Sequence, residues 1–363
     1  MKRRIAALFV TAFLALCLGG CGNSDTTPLV EEIPMTQKAT EAETTTEPVT
    51  EPVTEESREG MIRSRLTGEW INEEIGTRRP VAVMFNNIIE AVPQSGIENA
   101  GVVYEAPVEG ALTRLMGFIE DYDNLEKIGS VRSCRLYYLY WAKEFDAIYT
   151  HFGQAIYAKS LLDSSDIDNL NGLNLDGSCF YRTSDRVAPH NAYIGAEGIA
   201  KGIAQYGYRT HYEEGFEEHY KFNADSTEIE LADGQTANKV TPGYAMNKPW
   251  FEYNPADGLY YRFQYGDKQI DDLTGNQLAY KNIIMQVVDY YDYGDGYLYI
   301  TTTGSGRGKY ITNGKAIDIT WKKDTDFGVT RYYDMQGNEI TLNTGKTWVC
   351  IIQDDREDKI VLE

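Results

Sequence analysis

Two arginines precede a predicted helix near the middle of the chain, in the segment Gly129-Ser130-Val131-Arg132-Ser133-Cys134-Arg135. Apolar residues then recur at the spacing of one helix face, which predicts a helix over 136–145. Ser133 is suited to be its N-cap, because a serine hydroxyl accepts a hydrogen bond from a free N–H of the first turn. A helix start carries the positive end of the helix dipole, to which Arg132 and Arg135 add two full charges. The segment therefore predicts an anion-binding site.

The same two arginines are open to a second interpretation. Glu105 and Glu109 precede them in the chain and could pair with both guanidinium groups. Most arginines of folded domains meet a carboxylate or solvent. The residue types alone leave both interpretations open.

Further polar side chains interrupt or follow apolar runs, as is typical of a site at strand ends and also of a buried ion-pair network. Arg114 lies inside one such run, and His190 and Asn191 lie in a loop after Pro189. Loops carry binding residues more often than packing residues. The candidate anion-binding or ligand-binding residues are Arg114, Arg132, Ser133, Arg135, Arg186, His190 and Asn191.

Catalysis is a rival use of three further residues, Glu105, Glu109 and His151. Two carboxylates could form a glycosidase pair, but residues four apart in a strand lie roughly 13 Å apart, too far for either glycosidase mechanism. Pro107 could bend the strand and shorten that distance. His151 follows an apolar run, where a hydrogen-bonded structural histidine is the alternative. The chain has neither G-x-S-x-G nor H-E-x-x-H, and we expect no metal and no cofactor.

Bulk properties exclude some classes of protein. The chain has 363 residues, 42% of them hydrophobic, and a formal net charge of −21. Such acidity argues against nucleic acid as a partner, since phosphate binding needs a basic surface. Beyond the N-terminal segment the cysteines are Cys134, Cys179 and Cys350, an odd number far apart, so we expect neither a disulfide framework nor a zinc site.

The N-terminus has the features of a lipoprotein signal peptide over residues 1–20. A basic Lys2-Arg3-Arg4 precedes an apolar run that is too short to span a bilayer comfortably. The run ends in Leu18-Gly19-Gly20-Cys21, which resembles a bacterial lipobox and implies lipidation of Cys21. Residues 21–59 are rich in Thr, Glu and Pro, which predicts a disordered acidic tether. We therefore expect a body that is lipid-anchored to the outer face of the cytoplasmic membrane.

The rest of the chain predicts an α+β protein, with a mixed α/β domain over 60–222 and a mainly β domain over 223–363. In the first region we predict strands at 80–85, 101–107, 111–119, 147–152 and 178–182, and further helices at 154–163 and 196–206. In the second region we predict strands at 259–265, 283–288, 296–302, 316–321, 329–333 and 347–353. Gly304-Ser305-Gly306-Arg307-Gly308-Lys309 lacks the features of a phosphate loop, and we interpret it as a tight β connection.

Several motifs together resemble the YerB-like bacterial lipoproteins (domain of unknown function 3048). They are Arg79-Pro80-Val81-Ala82-Val83-Met84, Val103-Tyr104-Glu105-Ala106, Ile128-Gly129-Ser130-Val131-Arg132-Ser133, Ala188-Pro189-His190-Asn191, Asp272-Leu273-Thr274-Gly275, Thr312-Asn313-Gly314-Lys315-Ala316 and Ile319-Thr320-Trp321. The resemblance covers about residues 75–353. It implies a two-domain envelope lipoprotein, and it supplies no activity.

These observations lead us to expect a tethered binding or adaptor protein rather than an enzyme. Its partners would be the membrane, through the N-terminal lipid, and an anionic cell-wall component or a cell-wall synthesis protein, with peptidoglycan and teichoic acid as the candidates. The alternative is a cell-wall-modifying hydrolase that uses Glu105, Glu109 or His190. A third interpretation is a structural adaptor whose polar cluster is a closed ion-pair network.

Overall fold

The computed structural model describes residues 57–225 and 227–363. The predicted signal peptide, the lipidation site Cys21 and the tether as far as residue 56 lie outside the described residues. In the first region the strands are β1 (Met61–Arg63), β2 (Trp70–Asn72), β3 (Val81–Phe85), β4 (Val102–Pro107), β5 (Thr113–Ile119), β6 (Ile128–Gly129), β7 (Ile148–His151), β8 (Asn169–Asn171), β9 (Phe180–Arg182) and β10 (Ala192–Ile194).

The described residues form five α-helices, all in this first region: α1 (Glu73–Gly76), α2 (Leu136–Glu144), α3 (Lys159–Leu162), α4 (Gly172–Leu175) and α5 (Ala196–Tyr206). The second region contributes β11 (Gln235–Thr236), β12 (Lys239–Thr241), β13 (Trp250–Asn254), β14 (Leu259–Gln264), β15 (Asp267–Lys268), β16 (Ala279–Tyr280), β17 (Asn282–Val288), β18 (Tyr290–Asp292), β19 (Leu298–Ile300), β20 (Gly304–Thr312), β21 (Lys315–Lys323), β22 (Arg331–Asp334), β23 (Thr347–Gln353) and β24 (Val361–Leu362). The predicted α+β class, mixed first and mainly β afterwards, is confirmed.

An eleven-stranded sheet takes strands from both sequence regions. Its order is β11-β21-β20-β17-β23-β4-β5-β3-β7-β8, and β22 also pairs with β21. At its centre β23 lies parallel to β17 on one side and to β4 on the other. The backbone hydrogen bonds of the last long strand therefore join the C-terminal region to the N-terminal one.

The central strands β3, β4, β5 and β17 are buried at every position because both faces of the sheet are covered. In β3 every residue is buried, with Val81, Val83 and Phe85 on one face and Ala82 and Met84 on the other. Helix α2 packs on the second face, and α5 packs on the first. A six-stranded sheet, in the order β15-β14-β13-β12-β24 with β16 on β14, also covers the first face.

Helix α2 confirms the prediction over 136–145, but its N-cap is Arg135 and not Ser133. The chain is still extended at Cys134, which forms a β-bridge with Gln154. The Cys134 N–H donates to Gly153 O (2.9 Å), and the Cys134 carbonyl accepts from the Ala155 N–H (3.0 Å). These two bonds delay the start of the helix to Leu136. The helix predicted over 196–206 is confirmed, whereas 154–163 holds only a 3₁₀ turn and the short α3.

The prediction of a tight β connection at 304–309 was wrong, because this glycine-rich stretch is the first part of β20. Its glycines allow close packing between strands. A Cβ on Gly308 would lie 2.2 Å from the Met285 carbonyl oxygen, and one on Gly306 would lie 2.5 Å from Trp321 Nε1. The repeated glycines at 304, 306 and 308 therefore reflect the close approach of neighbouring strands and side chains and not a turn.

Two further features of the described residues bear on the predictions. Cys134, Cys179 and Cys350 are buried free thiols. Among the helices between residues 57 and 363, Ser226 excepted, none is long and apolar enough to cross a bilayer.

Candidate functional site

The loop that contains Arg132 is held at the end of the central sheet by its backbone. The Arg132 N–H donates to Met84 O at the end of β3 (2.9 Å), and the Arg132 carbonyl accepts from the Phe152 N–H (3.0 Å). The Val131 N–H donates to Ala192 O on β10 (2.7 Å). Arg132 therefore lies at the edge where β3 and β7 end, and next to the loop that precedes β10.

Arg132 carries an unpaired guanidinium group. No residue in the described part of the chain forms a hydrogen bond or ion pair with its side chain, and its Nε is buried without a partner. The side chain is half-buried. Burial first, and then the charge of Arg135, lowers the pKa of Arg132. A half-buried cation without a carboxylate is an incomplete arrangement that an anion would complete.

Arg114 lies beside Arg132 and strengthens the positive charge. Its side chain is buried, and its Nη1 donates to the Ser133 carbonyl oxygen (2.5 Å). Burial, followed by the charges of Arg135 and Arg132, lowers the pKa of Arg114 to about 10. Ser133 thus contributes a backbone acceptor to this cluster.

His190 faces the cluster from the loop that precedes β10. Its Nδ1 accepts a hydrogen bond from the Asn86 amide (2.8 Å), so the proton of the neutral ring is on Nε2. Burial, followed by the Arg132 charge, lowers the pKa of His190. The neutral ring is therefore the favoured form, and its Nε2–H is a donor at the edge of the cluster.

Arg186 and Asn191 hold this loop in place. Arg186 donates to the carbonyl oxygens of Ala91 (2.8 Å) and Pro93 (2.7 Å). Asn191 is buried, donates to Thr183 O (2.8 Å) and accepts from Arg182 (3.0 Å). Both residues lie near the predicted site, but Arg186 binds the segment after β3, and Asn191 is hydrogen-bonded within its own loop.

Arg135 is paired internally, as the second interpretation of the arginines had it. Its Nε and Nη2 donate to Glu109 in a bidentate arrangement, at 2.8 and 2.6 Å. Burial would raise the pKa of Glu109, but the hydrogen bonds and charge of Arg135 lower it overall. The guanidinium also lies over the Tyr297 ring, 5.4 Å from its centroid. Arg135 therefore has a structural partner, and Glu109 has no free carboxylate for acid–base chemistry.

Glu105 is the centre of a buried polar network rather than a surface acid. The side chain is 0% exposed, and its Oε2 lies 2.7 Å from Arg262 Nη2. Thr113 and Asn247 each donate to Oε1 at 2.8 Å. Every substrate is excluded from a carboxylate in this position unless the core opens.

Arg262, the partner of Glu105, is not among the site residues predicted from the sequence. It lies on β14, where Tyr260, Arg262 and Gln264 form the buried face and the intervening residues are half-buried. Its guanidinium lies over Trp348, 4.1 Å from the ring centroid. The alternation of β14 places these three residues on one face, but an arginine between two polar or aromatic neighbours does not mark that face as the buried one.

His151, the third candidate catalytic residue, is also internal. It is 0% exposed, with Nδ1 2.8 Å from Gly153 O and Nε2 3.2 Å from Asn169 Oδ1. Burial lowers the pKa of His151. Both ring nitrogens have protein partners, so the structural alternative describes this residue. In addition, no group of His, Cys, Asp and Glu side chains in the described ranges is arranged to hold a metal ion.

Comparison with known proteins places this geometry in a family. Residues 66–209 match the family described as "Protein of unknown function (DUF3048) N-terminal domain", and residues 240–349 match its C-terminal domain. The chain is 31% identical over 301 residues to "Putative lipoprotein YerB" of Bacillus subtilis (strain 168), an alignment that covers 81% of this chain and 87% of that protein.

A solved structure agrees with the sequence comparison. The crystal structure of the YerB protein from Bacillus subtilis superposes with a TM-score of 0.74 at 29% identity, and the match covers 83% of this chain and 99% of that one. Both domains of the family are present in the order that the resemblance implied. The chain therefore belongs to the DUF3048 family of two-domain, YerB-like proteins.

Proposed function

We propose that this protein is a lipid-anchored protein of the bacterial cell envelope that binds an anionic group of a cell-wall component at Arg132, and that it acts by binding rather than by catalysis. The observation that carries the proposal is the half-buried Arg132 guanidinium, which no carboxylate in the described part of the chain neutralises. Arg114 lies beside it, and its guanidinium donates to a backbone carbonyl oxygen, that of Ser133. An arginine in this state is suited to a bidentate bond with phosphate or carboxylate oxygens.

The electrostatics of the cluster support an anion and not a neutral ligand. Arg114, Arg132 and Arg135 face one carboxylate, that of Glu109, so the cluster keeps an excess of positive charge. This excess occurs in a chain whose formal net charge is −21. A local positive site in an acidic protein attracts anions selectively, because the rest of the surface repels them.

The N-terminal sequence and the relative support the proposed location. Leu18-Gly19-Gly20-Cys21 resembles a lipobox, and the Bacillus subtilis relative is named as a putative lipoprotein. A lipid on Cys21 would hold the body at the outer face of the cytoplasmic membrane, where cell-wall polymers are assembled. The proposed ligand is therefore an anionic oxygen group of such a polymer, either a teichoic acid phosphate or a peptidoglycan carboxylate.

The hydrolase alternative has less support. Glu105 is fully buried in a network with Arg262, and Glu109 is bound to Arg135. His190 is the one residue of that hypothesis with an accessible donor, and a single neutral histidine without a carboxylate partner is a weak basis for hydrolysis.

The test is binding of defined anionic fragments to the purified full-length protein. Muropeptides and glycerol-phosphate oligomers would be added while thermal unfolding is followed, and a ligand at 100 times its Kd should add about 2.7 kcal/mol of stability. Arg132→Gln should weaken that binding by about 10-fold to 100-fold, the range expected for lost hydrogen bonds to a charged group.

Arg307→Gln is the matched control, because Arg307 on β20 carries the same charge but forms an exposed ion pair with Glu357. Its binding should equal that of the wild-type protein. Equal affinity of the Arg132→Gln variant and the wild type, or no stabilisation by either class of fragment, would contradict the proposal.

A further inference from the structure

A groove lined by aromatic rings lies beside helix α2, on residues that take no part in the arginine cluster. It encloses about 640 Å³, and its aromatic lining consists of Tyr140 on α2, Tyr157 in the 3₁₀ turn before α3, and Phe327 in the loop between β21 and β22. We call it the tyrosine groove. Its volume is within the range of about 300 to 1,000 Å³ that small-molecule sites occupy.

The rings of the groove are accessible and ordered by one another. Phe327 is 41% exposed and lies 6.2 Å from Tyr140, measured between ring centroids. Tyr157 stacks on Tyr293 of the β18–β19 hairpin, at 3.6 Å and 7° between ring planes. Because each ring is supported by another ring, the groove offers apolar faces that are already fixed in orientation.

The hairpin extends the aromatic surface behind the groove. Tyr291 is 49% exposed and stacks on Tyr299 at 4.7 Å, and Tyr293 lies 5.9 Å from Tyr299. Exposed aromatic patches of this kind are characteristic of interaction sites rather than of a random surface. The structure therefore shows several tyrosines grouped at one place on the surface, where core packing alone does not require them.

Polar groups alternate with the rings along the groove. Ser160, Asp166 and Asp326 line it, and all three are exposed. Burial, and then the charge of Asp326, raises the pKa of Tyr140 to about 12, so its hydroxyl remains a donor at neutral pH. The groove thus offers carboxylate acceptors and hydroxyl donors beside apolar ring faces.

The charge of the groove selects among ligands. Among the described residues that line it there is no lysine or arginine, whereas Asp166 and Asp326 contribute two carboxylates. Phosphate-rich or carboxylate-rich polymers would be repelled. A sugar ring matches the remaining features, because its C–H faces pack on aromatic rings and its hydroxyls donate to carboxylates in charge-assisted hydrogen bonds.

We infer that the tyrosine groove binds a neutral oligosaccharide, such as an N-acetylated glycan strand. Hydroxyl groups of serine and tyrosine both donate and accept, which suits the hydroxyls of a sugar better than a cationic side chain that only donates. The inference concerns a second site and does not rest on the anion site at Arg132.

The experiment is calorimetric titration of the full-length protein with the N-acetylglucosamine tetramer. The wild-type protein should bind the tetramer, and Phe327→Ala and Tyr157→Ala should each weaken the affinity by about tenfold, the loss expected for one aromatic stacking contact. Tyr206→Ala is the matched control, because Tyr206 is also 41% exposed but lies at the end of α5. Its affinity should equal that of the wild type.

Two further arms separate the possible occupants and the two sites. A glycerol-phosphate oligomer and an octalysine peptide should not compete with the tetramer at the groove. Arg132→Gln should bind the tetramer with unchanged affinity, so failure of the anion proposal would leave this result intact. Absence of tetramer binding, unchanged affinity in both aromatic variants, or competition by octalysine would overturn the inference.

Discussion

Arg132 and Arg135 are three residues apart in one loop, yet only Arg135 has a carboxylate partner. Glu109 reaches Arg135 with both oxygens, at 2.8 and 2.6 Å, and no carboxylate in the described ranges reaches Arg132. Identical side chains thus have different roles, because the partner and not the residue type decides whether a cation is satisfied. At this scale Arg132 is a binding candidate and Arg135 is a structural residue.

The buried pair of Arg262 and Glu105 gives a sharp prediction about stability. Arg262→Ala leaves the Glu105 carboxylate in the core without its counter-ion, and breaking a buried pair in this way typically costs about 3 to 5 kcal/mol. We expect a loss of that size in the free energy of unfolding, measured by urea denaturation at pH 7.

Arg307→Ala is the control for that prediction. The pair of Arg307 and Glu357 lies at the surface, with the Arg307 side chain 72% exposed, and exposed pairs contribute about 0 to 1 kcal/mol. A loss for Arg262→Ala no larger than for Arg307→Ala would show that Glu105 tolerates burial without its partner.

Among the secondary-structure elements, the C-terminal end of helix α2 is hydrogen-bonded to the second region of the chain. Glu144 in the last turn accepts from Lys323 Nζ (2.5 Å), from His219 Nε2 (2.7 Å), and from the N–H and the hydroxyl of Thr330 (2.8 and 3.0 Å). All four residues are buried. The helix thereby gains a fixed position against the end of β21, and every lone pair of the carboxylate has a partner.

This network predicts how stability depends on pH. Burial alone would raise the pKa of Glu144, but Lys323 and His219 lower it from 4.5 to about 2. A carboxyl group with a depressed pKa in the folded state contributes stability that is complete above pH 4.5 and is lost as the pH falls through 2. The full effect is about 3 kcal/mol.

Glu144→Gln should therefore flatten the decline in unfolding free energy between pH 4.5 and 2. Measurements are confined to that range because His219 also makes stability depend on pH. Burial lowers the pKa of His219 in the folded state, so protonation of this histidine in the unfolded state reduces stability already at higher pH. Glu357→Gln, a surface replacement, should retain the wild-type slope. Parallel curves for Glu144→Gln and the wild type would contradict the assignment.

At the scale of the whole molecule, one sheet unites the two regions that the sequence separates. Strand β23 lies between β17 and β4, and without it β4 would be an exposed edge. The network of Glu105 and Arg262 crosses the same boundary. We therefore expect the folding of the first region to depend on β23 and on Arg262.

A fragment of residues 57–222 should accordingly fail to fold alone. It lacks both β23 and Arg262, so we expect no cooperative transition by calorimetry and no native near-ultraviolet circular dichroism. The longer protein, including residues 223–363, is the control and should unfold cooperatively. A cooperative transition in the fragment would show that β4 and Glu105 are stable without their C-terminal partners.

The elements of this fold were largely predictable, but the identity of the site was only partly so. The strands at 81–85 and 347–353 and the helix at 196–206 follow from local apolar runs and periodicity. The prediction of Ser133 as the N-cap of α2 was wrong, because the β-bridge at Cys134 holds the chain extended. The tyrosines of the hairpin alternate in sequence, at 291 and 293 and at 297 and 299, but nothing in that alternation indicates Tyr157 as a stacking partner.

The types of the elements and the excess of negative charge can be read from the amino-acid sequence alone, because both depend on composition and short-range pattern. The tertiary structure decided which charges are satisfied. Arg262 is 157 residues from Glu105, and Lys323 is 179 residues from Glu144. Pairing over such separations depends on how the central sheet brings its strands together. That arrangement leaves Arg132, three residues from Arg135, without a carboxylate in the described part of the chain.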